Sequence, residues 1–287
     1  MTVNFPRNLI EEIAYRRCVI FIGSGISATA KSDDGRSPKT WGAFLDGVKP
    51  LIRPHTYPET IGFINKMLDQ KNYLLALQAI YDNCDPGVYS AYLQDIFSRP
   101  DYKASNIHQL IKEMDAKVVI TTNFDKIYDN ICNSHGYTVA KYTETGKILS
   151  NLKSTTNLII KAHGSIDDPD TLVFTQKQYF NAKKKHPQFY NLLQAIFMTN
   201  TVLFIGYSLN DPDINLILET ISANSSAISC PHYVLTVQGV ENELKKFWHD
   251  CYNISCLEYG PGYEQLEENI AELTDQVISY RADKKMP

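Results

Sequence analysis

The sequence lacks three features that would point to a zinc site, a membrane or a nucleic acid. None of its six cysteines forms a Cys-x-x-Cys pair, which argues against a four-cysteine zinc site. No apolar run is long enough to span a bilayer, and the N-terminus lacks the charged-then-apolar layout of a signal peptide. Lysine and arginine total 28 against 32 acidic residues, so no basic surface predicts nucleic-acid binding by this chain alone. We therefore expect a cytoplasmic protein with reduced, mostly structural thiols.

Short apolar runs recur along the chain and predict a parallel β-sheet. With 287 residues, 44% of them hydrophobic, the chain can bury one large core, with or without an inserted subdomain. Runs this apolar are typical of strands buried on both faces, and their alternation with helical stretches indicates a Rossmann-like, doubly wound α/β fold of about six strands. The predicted strands are 18–22, 117–121, 158–162, 201–205, 232–237 and 254–257.

The interval between the first two predicted strands is far longer than one crossover helix needs. Helical patterns fill it at 41–48, 59–69, 73–83, 89–97 and 107–114. We therefore expect a single domain, with a Rossmann-like core at 1–39 and 116–287 and a helical insertion at 40–115. The polar loop at 31–39 is either a cover over a bound nucleotide or a surface linker.

The first predicted strand ends in Gly-Ser-Gly-Ile-Ser-Ala at 23–28, the Gly-x-Gly-x-x-Ala pattern of a strand that turns into a helix around a phosphate. Gly23 allows a tight turn, Gly25 lets backbone amides approach a ligand, and Ala28 permits close packing of helix and strand. The helix would direct its N–H groups and positive dipole end at a pyrophosphate. Because glycines commonly end strands, this turn alone leaves nucleotide binding open.

Polar or glycine-containing turns also follow three other predicted strands, at 121–125, 163–165 and 206–208. Parallel strands share one carboxyl edge, where open α/β sheets bind ligands, so we expect the four turns to line one crevice. His163 is then a candidate general base.

Two of these turns offer side chains for a nucleotide. The 121–125 segment carries Asn123 and Asp125, which suit ribose hydroxyls or an amide, although Asp125 is equally well explained as the N-cap of the next helix. Gly206 permits close backbone approach, and Ser208 can donate to a ribose or phosphate oxygen. The segment after it, Asn-Asp-Pro-Asp at 210–213, predicts the start of another helix.

Taken in order, Gly-Ser-Gly-Ile-Ser, Thr-Thr-Asn-Phe-Asp, Ala-His-Gly-Ser and Gly-Tyr-Ser resemble the motifs of the sirtuin (Sir2) superfamily. The resemblance covers most of the chain and is closest to bacterial Sir2-like NAD-consuming domains of anti-phage systems. The segment Phe-Thr-Gln-Lys-Gln-Tyr at 174–179 also resembles that branch. The protein deacylases of the family have paired Cys-x-x-Cys motifs and a Gly-Ile-Pro-Asp-Phe-Arg type of segment, and both are missing here. The resemblance therefore implies NAD cleavage without a zinc module.

The resemblance also implies a role for each motif residue in an NAD site that holds no metal. Asn123 would hold the nicotinamide-side ribose or an attacking water, and His163 would be the catalytic base. The first turn would line the pyrophosphate, Asp125 would orient its loop, and the 206–208 turn would bind the adenosine half. The residues implied to contact NAD are Gly23, Ser24, Gly25, Ser27, Thr122, Asp125, Gly206 and Ser208.

The activity implied is that of an NAD+ glycohydrolase that depletes cellular NAD in anti-phage defence. The alternatives are an NAD-dependent protein deacylase and a non-catalytic subunit that binds NAD or ADP-ribose. Because unregulated NAD loss would kill the host, we expect control by homo-oligomerisation or by a separate protein. A HerA-like ATPase, an Argonaute-type protein and a phage-protein sensor are the partners that the resemblance suggests, the ATPase first. No membrane or direct nucleic-acid contact is expected.

Overall fold

A computed structural model describes residues 3–39, 41–133, 136–209, 214–215, 217–219 and 230–286. In these ranges seven strands form one parallel sheet in the order β3-β4-β2-β1-β5-β6-β7. The strands are β1 Cys18–Ile22, β2 Val118–Thr121, β3 Thr138–Lys141, β4 Leu158–Lys161, β5 Thr201–Ile205, β6 His232–Val237 and β7 Ile254–Tyr259. The predicted α/β fold and its six strands are confirmed. The seventh strand, β3, was not predicted.

The strand order reverses at β1, in the middle of the sheet. Val19 of β1 lies opposite Val118 of β2, and on the other side Cys18 lies opposite Thr201 of β5. All residues of these three strands are buried, which explains their uninterrupted apolar runs. The chain passes from β1 to β2 on one side and later crosses from β4 to β5 on the other side of β1, so a crevice opens at the carboxyl ends of β2, β1 and β5.

Helices cover both faces of the sheet. They are α1 Arg7–Ala14, α2 Ser24–Ser27, α3 Trp41–Val48, α4 Pro58–Asp69, α5 Tyr73–Asp82, α6 Pro86–Phe97, α7 Asn106–Glu113, α8 Ile127–Asn133, α9 Thr145–Leu152, α10 Gln176–Lys185, α11 Pro187–Thr199, α12 Asn242–Tyr252 and α13 Leu266–Asp283. The helix predicted to begin at 210–213 starts outside the described residues. No helix in the described part of the chain is both long and apolar enough to cross a bilayer.

Helices α3 to α6 build a hydrophobic cluster that is separate from the two clusters on the faces of the sheet. It includes Phe44, Leu77 and Leu93, and it continues into Phe124 and Phe174, which follow β2 and β4. The insertion therefore packs on the same loops that carry the predicted site.

Helix α7, predicted within the insertion, packs elsewhere. Its residues Ile107 and Ile111 join α1, α13 and the sheet in one cluster. The division at 40–115 stays a prediction.

Candidate active site

A cavity of about 740 Å³ opens where β2, β1 and β5 end. Its lining includes seven of the residues predicted from the strand-end motifs: Ser24, Ser27, Thr122, Asn123, Asp125, His163 and Ser208. Residues up to 184 positions apart in the chain thus surround one space, since the lining runs from Ser24 to Ser208. The volume is in the range of small-molecule and cofactor sites, roughly 300–1,000 Å³.

The three predicted glycines do not line this cavity, because the 23–25 and 206 turns pack against each other. The Gly25 N–H donates to the Gly206 carbonyl oxygen at 2.9 Å. A Cβ on Gly23 would lie 2.2 Å from that same oxygen, and Gly206 has a φ of +63°. The glycines therefore allow two backbones to touch, and their predicted contact with a ligand stays a prediction.

The helix expected after the first turn is one turn long, Ser24–Ser27. A single turn sums few peptide dipoles, so the macrodipole argument for a phosphate is weaker than the sequence suggested. Two side chains of this turn, those of Ser24 and Ser27, line the cavity. Ser24 is exposed, whereas Ser27 is buried.

Ser27, Asn123 and Asp125 form a chain of hydrogen bonds at the base of the cavity. The Ser27 hydroxyl donates to Asp125 Oδ2 at 2.6 Å, and its oxygen accepts from Asn123 Nδ2 at 2.9 Å. Asn123 Nδ2 also donates to the Gly23 carbonyl at 2.9 Å. Both hydrogens of the amide are thus used within the protein, which leaves Oδ1 as the acceptor that the amide can offer a ligand.

This chain of hydrogen bonds limits the further hydrogen bonds that Ser27 and Asp125 can make. The only hydroxyl hydrogen of Ser27 goes to Asp125, so donation to a phosphate would require that bond to break. Asp125 Oδ1 accepts from the Ile127 N–H at 3.0 Å at the start of α8. The hydrogen bonds of Asp125 to the start of α8 and to Ser27 therefore coexist, one on each carboxylate oxygen.

His163 follows β4 and is only 4% exposed, although it borders the cavity. Its Nδ1 is 3.5 Å from the Tyr179 hydroxyl, and the two rings meet edge to face with centroids 5.0 Å apart. Tyr179 lies on α10 and lines the same cavity. A buried imidazole held against a phenol has a restricted orientation, which a general base requires.

Aromatic rings form an apolar wall beside these polar groups. Phe124 and Phe174 have centroids 3.9 Å apart, and Phe174 stacks on Phe44 at 5.4 Å. Phe97 packs edge to face on Phe124. All four rings line the cavity. They join the loops after β2 and β4 to the insertion.

The insertion and the loop before it supply residues that sequence reasoning missed. Pro38 and Lys39 lie at the end of the polar loop at 31–39. Lys71 and Asn72 lie in the turn between α4 and α5, and Tyr73 and Leu74 begin α5. Aromatic spacing after the histidine motif could have suggested Phe174 and Tyr179. Nothing local marks the α4–α5 turn, because its place depends on how the insertion packs.

The buried side chain of His108 lies close enough to Asp125 for the carboxylate charge to affect its pKa. Burial lowers the pKa of His108 to about 4, even though the charge on Asp125 acts to raise it. His108 Nδ1 accepts from the Ser105 N–H at 3.2 Å at the start of α7. His108 is therefore a neutral, structural residue near pH 7.

In the described part of the chain, no group of three or more histidine, cysteine or acidic side chains is arranged to hold a metal ion. The six cysteines are free thiols, and burial raises the pKa of the Cys132 thiol to about 12 and of Cys256 to about 11. No thiolate is therefore expected at these two positions near neutral pH.

Comparison with known proteins points to the family that the strand-end motifs resemble. A family model described as a SIR2-like domain matches residues 117–257. The chain is 25% identical over 252 residues to "Defense-associated sirtuin 2" of Bacillus subtilis, covering 85% of this chain and 23% of that protein. It is 24% identical over 229 residues to "NAD(+) hydrolase ThsA" of Acinetobacter baumannii, covering 79% of this chain and 44% of that protein.

A protein of the same name from Bacillus cereus is 23% identical over 236 residues, covering 80% of this chain and 45% of that protein. The chain thus spans from about a quarter to under half the length of these relatives. The four strand-end motifs predicted a resemblance to the Sir2 superfamily, and that prediction is confirmed: residues 117–257 of this chain match a SIR2-like domain.

Proposed function

We propose that this protein is an NAD+ glycohydrolase that cleaves NAD+ to nicotinamide and ADP-ribose, and that it acts as a regulated NAD-depleting effector in anti-phage defence. The observation that carries the proposal is that Asn123 and His163 border one cavity at the point where the strand order reverses. Three relatives with the names defence-associated sirtuin and NAD(+) hydrolase support it.

In the proposed reaction, water replaces nicotinamide on C1′ of the ribose. The bond from C1′ to the nicotinamide nitrogen breaks, its electron pair leaves with the neutral base, and positive charge develops on the ribose. A bond from C1′ to the water oxygen then forms, and the water gives up a proton. His163 would accept that proton as general base, a contribution of roughly 100- to 10,000-fold.

Asn123 would position the reacting groups through its side-chain carbonyl. Because Gly23 and Ser27 accept hydrogen bonds from both amide hydrogens, the amide group cannot flip without losing two hydrogen bonds. Its Oδ1 can then accept from the attacking water or a ribose hydroxyl. The negative end of the carbonyl dipole would also favour positive charge developing on the ribose.

The charges on the cavity wall suit an anionic dinucleotide. Lys39 and Lys71 border the cavity, and the one carboxylate among its described lining residues is Asp125. That carboxylate accepts hydrogen bonds from Ser27 and Ile127. A pyrophosphate would therefore meet two ammonium groups and one carboxylate that is already engaged.

The test is nicotinamide release from NAD+ by the purified chain, alone and with the product of its neighbouring gene. We expect release in at least one of these conditions, and a loss of about 100-fold or more in His163→Ala and Asn123→Ala. Matched controls are His249→Ala, exposed on α12, and Asn130→Ala, exposed on α8. Both should keep wild-type turnover.

The outcomes separate the proposal from its alternatives. Unchanged turnover in His163→Ala or Asn123→Ala would contradict the site assignment. Nicotinamide release that requires an acetylated peptide would instead indicate a deacylase. Tight NAD binding without turnover in both conditions would indicate a nucleotide-binding subunit.

Regulation is part of the proposal, because constitutive NAD loss would be lethal. We expect the active form to be a homo-oligomer or a complex with a second protein, the first candidate being a HerA-like ATPase. Size measurements of the chain with and without that protein, followed by turnover of each species, test this part. Equal turnover by all species would contradict it.

A further inference from the structure

Lys161, the last residue of β4, is a charged side chain enclosed in the core of the protein. It is 1% exposed, and two groups of the segment after β2 surround its ammonium. Its Nζ donates to the main-chain oxygen of Asp125 and lies 3.3 Å from Asp129 Oδ2 on α8. Asp129 is equally enclosed, with its side chain 3% exposed.

Stability alone does not explain this pair. Removing two charges from water is costly, and well-packed apolar side chains of similar size are often as stable or more so. The presence of this buried ion pair is therefore better explained by the groups that it orients. Here the ammonium contacts the turn that carries both Asn123 and Asp125, while its own strand leads directly to His163.

The contacts place Lys161 directly behind the hydrogen-bond chain of the site. Asp125 is held by its main-chain oxygen to Lys161 and by its carboxylate to Ser27 and the Ile127 N–H. Ser27 in turn accepts from Asn123. A shift of the Asp125 backbone would therefore move the partner that keeps the Asn123 amide in its orientation.

We propose that Lys161, paired with Asp129, is a positioning residue that locks the 122–127 turn so that Asn123 and His163 keep their mutual geometry. This inference rests on the proposed function, since it assigns Lys161 to the same site. Lys161 does not line the cavity, so it acts through the turn without touching a ligand. Its loss should lower kcat and leave NAD binding nearly unchanged.

The test uses the variant Lys161→Met/Asp129→Leu, which removes both charges and leaves neither one buried alone. Lys161→Met by itself is a second variant, in which Asp129 stays buried without its partner. The matched control is Lys117→Met. Lys117 precedes β2 at the opposite edge of the sheet and likewise donates to main-chain carbonyls, those of Asn151, Ser154 and Thr156.

Three measurements are made on the folded proteins: steady-state kinetics of nicotinamide release, which give kcat and KM, the Kd for NAD, and amide hydrogen exchange at Ile127. We expect the double variant to fold, to bind NAD within about threefold of wild type, and to lose about 100-fold in kcat, since small displacements of reacting groups can cost that much. Exchange at Ile127 should accelerate. Lys117→Met should change neither kcat nor that exchange rate.

The possible results divide cleanly. A kcat within twofold of wild type in the double variant overturns the positioning role, as does a fall in kcat without faster exchange at Ile127. If the wild-type protein releases no nicotinamide either alone or with the product of its neighbouring gene, the proposed function fails, and the exchange rate at Ile127 alone decides whether Lys161 holds the turn. Unchanged exchange then overturns the inference as well.

Discussion

The cavity has two walls of different construction. The sheet-edge wall is made of Ser27, Asn123, Asp125 and His163, which are buried or half-buried and mostly bonded to one another. The insertion wall, from the α4–α5 turn and the end of the 31–39 loop, presents exposed side chains such as Lys71 and Lys39. Groups held by neighbours suit chemistry that needs fixed geometry, whereas exposed cations suit attraction of a charged ligand.

The two walls meet through the phenylalanine cluster, so truncating its central ring should produce the largest effect. In Phe174→Ala we expect unfolding to become easier by about 3–5 kcal/mol, because a fully buried ring in contact with Phe44, Phe97 and Phe124 is replaced by a void. Denaturant titration measures this change. Phe180→Ala, 66% exposed on the next helix, should cost well under 1 kcal/mol. Equal losses of stability in the two variants would contradict the role of the phenylalanine cluster in holding the two walls together.

Acid should lower the stability of the folded protein through two buried histidines. Burial lowers the pKa of His108 and of His232 to about 4, from an ordinary value of 6.5. Between these values the unfolded chain binds more protons than the folded one. Stability is therefore fully present above pH 6.5, falls as pH decreases, and has lost this contribution below about pH 4.

The size of this acid effect is expected to be a few kcal/mol between pH 7 and pH 5, measured from denaturant midpoints. His232→Asn should flatten the dependence, although it also disturbs the hydrogen bond that His232 Nδ1 accepts from the Val202 N–H at 3.2 Å. The control His249→Asn removes an exposed histidine. A pH dependence that is equal in all three proteins would contradict the prediction.

Within the sheet-edge wall, Ser27 should matter far more than Ser24. Ser27→Ala removes the hydroxyl that accepts from Asn123 and donates to Asp125, so the amide loses a constraint and kcat should fall about 10- to 100-fold. Ser24→Ala, at an exposed position three residues earlier, should change KM by less than threefold and leave kcat alone. Steady-state kinetics of the two variants decide this. A larger kcat loss in Ser24→Ala would show that the first turn acts on the ligand and not through Asn123.

The smallest effect is expected at Lys71 on the insertion wall. Lys71 has a φ of +56° and lies in the turn that follows α4. There the Lys71 N–H donates to the Leu68 carbonyl and the Asn72 N–H donates to the Met67 carbonyl. Glycine favours this conformation, so Lys71→Gly should remove the ammonium without harming the fold. We expect KM to rise severalfold at low salt, with kcat unchanged. The control Lys66→Ala, exposed on α4 outside the cavity, should leave KM unchanged.

Strand-end chemistry was predictable because the carboxyl ends of parallel strands necessarily share an edge. The run at 18–22 is apolar throughout and that at 201–205 is apolar after Thr201, and their burial on both faces follows from the helices on either side. By contrast, β3 escaped prediction. It lies at the edge of the sheet, and Ala140 is its only fully buried residue, so no apolar run or strict alternation marks it.

The roles of individual side chains were harder to predict than their location. The motif suggested Ser27 as a phosphate contact, yet its hydroxyl bridges Asn123 and Asp125, which are about a hundred residues further along the chain. Gly206 was predicted to let the backbone approach a ligand; its backbone packs on the first turn, and its contact with a ligand stays a prediction. Pattern reasoning cannot choose between a ligand and a distant protein group as the partner of a small polar residue.

The local sequence pattern was sufficient to predict the sheet, the parallel direction of its strands and the position of Asn123 and His163 at one edge. These depend on hydrophobic periodicity and on the rule that strand ends converge, both of which neighbouring residues encode. The enclosure of the cavity by Lys71 and Phe44, the hydrogen-bond chain through Ser27, and the buried Lys161 beneath it depend on contacts between distant segments. Such contacts exist only once the chain has folded, because long-range packing and not local pattern selects which groups meet.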